Sequence, residues 1–198
     1  MSPTFHRKHW DIFSIFVIPI LTILLASTDG WVKSNLSVIA YTKNKELAFI
    51  IWGFISAWYF NAYTWYLFKL VGYKGRVGIA FLQAATISLI FAVLTPYLPN
   101  QFPLKARLHI IFAFISPLLL LVSFLCYQIY LEGIDKGIFK RARYELLVMV
   151  VVSLLLLNQL GFVSSLLEIF ISISVCYFLR TSHKRIEKQS KSLPRQTL

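Results

Sequence analysis

Six side chains able to donate, accept or exchange protons sit at the edges of long apolar blocks: Asp29, Tyr97, His109, Asn158, Gln159 and Glu168. A carboxylate next to an imidazole fixes its tautomer and leaves the other ring nitrogen free as a general base. Asp29 or Glu168 could do this for His109, with Tyr97, Asn158 and Gln159 supplying hydrogen bonds to a lipid headgroup. Glu168 is the most telling of the six. A short carboxylate two turns into an apolar block needs a partner or a proton. The competing reading gives each residue a structural task, either reaching interfacial water or satisfying a helix end.

Motifs that name a reaction are absent from the sequence. It has no nucleotide-binding glycine loop, no GxSxG elbow, no HExxH and no CxxC pair. Of the four histidines, His6, His9, His109 and His183, one alone (His109) falls at a boundary within the apolar region. No metal site, haem or other cofactor is therefore expected. Cys126 and Cys176 each lie late in an apolar block and read as small buried residues rather than a disulfide framework.

The elements that must hold these residues are membrane spans. The 198-residue chain is 58% hydrophobic and 14% charged, with a mean hydropathy of +0.68. Soluble domains run nearer to about a quarter charged. Six blocks approach the length needed to cross a core of about 30 Å at ~1.5 Å per residue. They run over 11–27, 47–70, 77–98, 108–130, 144–160 and 162–179. The expected fold is all-α: a polytopic bundle of six transmembrane helices in one domain, 1–180, followed by a basic tail, 181–198. The last two spans form one apolar stretch too long for a single helix. Asn158-Gln159-Leu160-Gly161 reads as the hairpin between them. The cationic start followed by an apolar block, 12–26, imitates a signal peptide. Asp29-Gly30-Trp31 is a poor cleavage context, so the block reads as a retained first helix.

Charge supplies an orientation. With the N-terminus inside, fifteen Lys and Arg residues fall on the cytoplasmic side and five on the other. The inner set comprises Arg7 and Lys8, then Lys69, Lys74 and Arg76, then Lys136, Lys140, Arg141 and Arg143, and six in the tail from Arg180 to Arg195. Both termini are therefore expected in the cytoplasm. The net charge of +12 flanks apolar blocks, so the expected partners are membrane lipids, anionic headgroups at the inner face in particular, and no nucleic acid. A protein partner or a second copy of the chain is also compatible with the composition. Asn61 and Gln83, on the inner side of the second and third blocks, read as interhelical hydrogen-bonding residues. Asn35-Leu36-Ser37 fits a glycosylation sequon on the first outer loop.

Several short motifs resemble a superfamily of six-helix membrane proteins, the Frag/DRAM/Sfk-like proteins with their bacterial and archaeal relatives. They are Pro19, the exit Ser27-Thr28-Asp29-Gly30, Thr95-Pro96-Tyr97, and Leu108-His109-Ile110-Ile111-Phe112-Ala113-Phe114. The resemblance covers about two-thirds of the chain. It implies the six-helix fold and singles out Asp29 and His109. In eukaryotic relatives it is associated with lipid remodelling or membrane trafficking. The sequence departs from a lipid hydrolase in having no metal-type histidine cluster.

The resulting expectation is a multi-pass protein of the cell membrane, or of an internal membrane in a eukaryote. Its role is expected to be non-enzymatic: accessory, sensing or protective, acting through lipid or protein contacts. One alternative is a protein that binds or modifies headgroups through an extracytoplasmic pocket around the six polar residues. Another is a small oligomeric transporter, against which stand the thin polar lining and the lack of an internal repeat.

Overall fold

The computed structural model describes residues 3–192, which form helices joined by short connections, with no strand among them. The first rod has three pieces: α1 (Pro3–Ile12), a π-helical turn (Phe13–Val17) and α2 (Ile18–Ala26). Pro19 has no N–H to give the Ile15 carbonyl, and its ring crowds that oxygen. The helix widens just before the proline, where the Ile18 N–H reaches back to the Phe13 oxygen. Then follow α3 (Leu36–Thr42), α4 (Glu46–Leu70), α5 (Arg76–Leu94), α6 (Pro103–Ile134), α7 (Lys136–Leu160) and α8 (Ser165–Ser192). Five rods are long and apolar enough to cross a membrane: 7–26, α5, α6, α7 and 165–190 of α8. The 25-residue α4 is as long, but tryptophans, tyrosines and Asn61 dilute its apolar character.

Helix ends follow local chemistry. Pro96 pushes the residue before it out of the helical region, so α5 stops at Leu94 and Thr95 is extended (φ −92°, ψ 116°). Pro103 opens α6, where a missing N–H costs nothing. Gly161 takes φ +70° at the end of α7, a conformation that other residues adopt at a cost. The expected hairpin at 158–161 therefore has its turn at 161–164.

Three segments differ from the expected layout. The segment 131–143 is helical except at one point, with Asp135 extended between α6 and α7. The Asp135 side chain accepts the Ile138 N–H at 3.0 Å and so caps α7. Lys136, Lys140, Arg141 and Arg143 thus ride on the first turns of α7. The boundary drawn at 180 falls inside α8, which runs on to Ser192 with Ser182, His183 and Ile186 buried; Arg195 lies outside the described residues. The first long connection carries α3, for which no expectation was drawn. Asn35 caps it, its Oδ1 accepting the Val38 N–H and the Ser37 hydroxyl, each at 2.8 Å. The sequon side chains are thereby engaged in the fold.

Neighbouring rods run antiparallel. The starts of α1, α5 and α7 lie with the ends of α4, α6 and α8 at what we term the basic end. The ends of α2, α5 and α7 lie at the far end with α3 and the starts of α4, α6 and α8. Aromatic residues dominate the core toward the basic end: Tyr59, Tyr63, Phe68, Phe124, Tyr127, Phe139 and Phe178. A smaller apolar cluster at the far end joins Leu25, Leu36, Phe49, Trp52, Val93 and Ile169. Helices α4 and α5 approach closely at Gly53, where a Cβ would come within 2.2 Å of a Val93 methyl.

Overpacking of that kind costs about 1–3 kcal/mol. Gly53→Ala is expected to lower the unfolding midpoint in detergent accordingly, and Val93→Ala in the same chain to restore most of the loss. Unchanged stability of the single variant would mean that the α4–α5 contact yields freely.

Candidate functional site

The structure places the six predicted polar residues at or near the far end and divides them among different partners. His109, 4% exposed, lies in α6. Its Nδ1 is 2.8 Å from the Ala92 carbonyl and 3.0 Å from that of Thr95. Carbonyls only accept, so Nδ1 carries the proton and donates to both. The cause lies in Pro96. In a continuing helix the N–H of residue 96 would bond the Ala92 oxygen, and proline has none. The Thr95 N–H reaches the Ala92 oxygen at 3.3 Å, and His109 adds a second, shorter donor from the neighbouring helix. Its ring also meets Phe49 at 6.3 Å and Tyr97 at 5.5 Å.

Glu168 meets a different need. Its Oε2 accepts the Leu36 N–H at 2.8 Å, at the first turn of α3, where backbone donors are otherwise unpaired. The exchange is reciprocal. At the start of α8, the Ser165 N–H bonds the Ser34 oxygen at 2.7 Å and the Leu166 N–H bonds the Trp31 oxygen at 2.8 Å. Three hydrogen bonds thus clasp the 31–36 segment to α8. Asp29, part-exposed, pairs with Lys43 at 3.4 Å. Asn158 and Gln159 are exposed on the last turn of α7.

His109 and Glu168 serve different elements, α5 and α3, with no hydrogen bond between them. One apolar cluster reaches both: its Phe49 ring lies 6.3 Å from that of His109, and its Leu36 gives its N–H to Glu168. Tyr97 opens instead onto a groove of roughly 300 Å³ walled by Val38, Tyr41, Thr42 and residues 98–101. Burial, and after it the Glu46 carboxylate, push the Tyr41 phenol up from its ordinary range, so it faces the groove as a neutral hydroxyl.

The more extensive polar constellation lies at the basic end. Arg7 pairs with Glu187 and, at 3.6 Å, with Asp11. Arg180 Nε donates to Asp11 at 2.8 Å. His183 is fully buried; its Nδ1 lies 3.0 Å from the Tyr63 hydroxyl and its Nε2 3.8 Å from Glu187. Trp10 stacks on Tyr63 at 4.7 Å. Arg185 forks onto Glu145, which also accepts from Thr181 at 3.1 Å. Arg143 reaches Glu132 at 3.4 Å, and Gln128 ties Glu132 to the Phe139 carbonyl. The start of α1, the end of α6, the start of α7 and the end of α8 are thereby joined by charge.

From this end a seam of buried polar side chains follows one face of α4 into the bundle. Tyr63 bonds His183, Tyr59 meets the Ser14 hydroxyl at 2.5 Å, and Trp52 Nε1 donates to Thr22 Oγ1 at 2.8 Å. Residues 52, 56, 59 and 63 recur at the spacing of a single helical face. That spacing was a readable signal, as were the i,i+4 pairs Arg7/Asp11, Arg141/Glu145 and His183/Glu187. Reading the cations by number alone passed over their carboxylate partners. No three His, Cys, Asp or Glu side chains among the described residues group as a metal site.

No family model, characterised protein or solved structure matches this chain.

The origin of the His109 contact makes a double-variant prediction. His109→Ala leaves the Ala92 and Thr95 carbonyls without that donor, which is expected to cost about 1–3 kcal/mol. In a Pro96→Ala background, where residue 96 regains an N–H, the same change is expected to cost less than half as much. Equal costs in the two backgrounds, measured by detergent unfolding, would separate His109 from the proline.

Proposed function

We propose that this chain is a six-span integral membrane protein with both termini in the cytoplasm. Its role is that of a non-enzymatic accessory or sensing component acting through lipid and protein contacts. The observation that carries this reading is the use to which its polar groups are put. His109 completes α5, Glu168 caps α3, and Asp29 pairs with Lys43. Many of the side chains turned outward are instead large and apolar, among them Leu104, Ile129 and Leu154. This is a surface for lipid and for other helices.

The sixth span in this reading is α4. It is 25 residues long and is buried along its length, from Phe49 and Trp52 to Leu67 and Phe68. A helix with one face buried against spans from end to end must pass through the same slab. The ion pair of Arg7 with Glu187 supports termini on one side, and the fifteen-to-five distribution of cations assigns that side to the cytoplasm. The six-helix resemblance is consistent with this count.

Five of the cytoplasmic arginines are matched by acidic residues, so headgroup attraction falls to the remainder, including Lys136, Lys140 and Lys184. The groove below Tyr97 favours a second reading, binding of a lipid headgroup at the outer face, with Tyr41 and Tyr97 as hydroxyl donors.

Two measurements test the proposal. A reporter fused after Leu198 is expected to read cytoplasmic, and one inserted at Asn100 to read extracytoplasmic. A C-terminal reporter on the outer side would refute the even count. Native mass spectrometry from mixed phosphatidylglycerol and phosphatidylcholine nanodiscs is expected to show selective retention of the anionic lipid. Lys136→Gln with Lys140→Gln should reduce that retention several-fold. Retention without preference for the anionic lipid, or unaffected by the two changes, would remove the lipid-contact part of the reading.

A further inference from the structure

Asn61 on α4 and Gln83 on α5 answer each other across the two helices: Asn61 Nδ2 donates to Gln83 Oε1 at 3.3 Å and to Thr86 Oγ1 at 2.8 Å. These bonds use the Asn61 amide as donor and the Gln83 amide as acceptor. The Gln83 Nε2 donor and the Asn61 Oδ1 acceptor have no hydrogen-bond partner among the described residues. The pair lines an open groove of roughly 310 Å³ between α4 and α5. Gln83 is exposed, and Trp58 (53% exposed) and Phe54 (42%) rise along the groove as apolar knobs.

Depth decides what can fill the groove. The 19-residue α5 begins at Arg76 and, at ~1.5 Å per residue, Gln83 lies about 10 Å in and within about 4 Å of the helix midpoint. A glutamine side chain does not reach interfacial water from there. Phospholipids carry their esters and headgroups near the faces of the bilayer, so the acyl chains at this level offer no hydrogen bond. An amide with free N–H groups in hydrocarbon costs energy unless another polypeptide meets it.

We infer that the α4–α5 groove is a dimer interface, filled in the membrane by the same groove of a second copy of this chain. The argument is self-complementarity. A twofold axis along the membrane normal brings residues of equal depth together. Asn61 and Gln83 touch, so they share a depth, and each copy presents one free donor and one free acceptor there. The Gln83 Nε2 of one copy meets the Asn61 Oδ1 of the other, and the exchange occurs twice. The Trp58 and Phe54 rings then pack beside the amides instead of facing lipid. The inference rests on α4 and α5 being spans, which the reporter fusions judge separately.

The test uses the full chain, labelled in two colours, in phosphatidylcholine vesicles at graded protein-to-lipid ratios. Energy transfer should rise with density along a monomer–dimer curve. Gln83→Leu, which removes the amide without removing bulk, should weaken dimerisation by about 3- to 30-fold, the range of measured interhelical hydrogen bonds in bilayers. Its unfolding midpoint in detergent should change little, since Thr86 still accepts from Asn61 and an exposed leucine suits lipid. Leu154→Ala, on the exposed face of α7, should leave the dimer as it was. A chain that stays monomeric at every density overturns the inference. If native mass spectrometry then finds a lipid lost with Gln83→Leu, a lipid fills the groove; if none is found, a different protein does. A dimer indifferent to Gln83→Leu also overturns the inference, since it must use another face.

Discussion

Hydrocarbon offers no hydrogen bonds, and this constraint organises the molecule. Every backbone group that enters the bundle must find its partner in the protein, and a side-chain polar group left without one is costly. Pro96 ends α5 and thereby leaves the Ala92 carbonyl with a long bond from the Thr95 N–H; His109 of α6 adds a shorter one. The first turn of α3 presents an unpaired N–H at Leu36; Glu168 of α8 accepts it. In both cases a residue that could do chemistry is bound to the scaffold by a need that the scaffold itself creates. The same rule makes the Asn61–Gln83 pair informative, because there it is only half obeyed within one copy.

The two ends of the bundle meet the constraint differently. At the far end the solutions are local hydrogen bonds around a small apolar cluster. At the basic end they are ion pairs that join helices distant in sequence, with Asp11, Glu132, Glu145 and Glu187 each facing arginines. The seam along α4 extends this polar region inward through Tyr63 and Tyr59 to Trp52. A wholly apolar α4 could pack as closely. The polar seam instead fixes which face of α4 meets α1, α2 and α8.

Much of the helical architecture was legible in the sequence because hydropathy reports lipid directly. The blocks from Val77, Leu108 and Tyr144 correspond to α5, α6 and α7, and the Asn158–Gly161 signal lies beside a real turn. What escaped was polar structure held together by long-range contact. A run of cations around 136–143 resembles a loop until Asp135 is recognised as a cap that lets α7 begin at once. A basic segment after residue 180 resembles a solvated tail until Arg7, Asp11, Tyr63 and Glu145 are known to lie against it. The six polar residues could be chosen by their cost in lipid. Their partners could not, since Ala92, Leu36 and Lys43 carry no signal of the roles they play. Nothing in the one-dimensional pattern revealed that His109 and Glu168 would serve different helices.

The central claim is that α4 passes through the membrane as a span, with its Tyr63, Tyr59 and Trp52 met by side chains of α8 and the first rod. Hydrogen–deuterium exchange of the full chain in lipid nanodiscs tests it most directly. The account predicts that amides from Phe49 to Leu67 exchange as slowly as those in the middle of α5 and α6, with the Leu36, Ser165 and Leu166 amides also protected by their clasp. Exchange of the α4 amides at the rate of the 95–102 connection would contradict it, because a helix that meets water along its length is not a span.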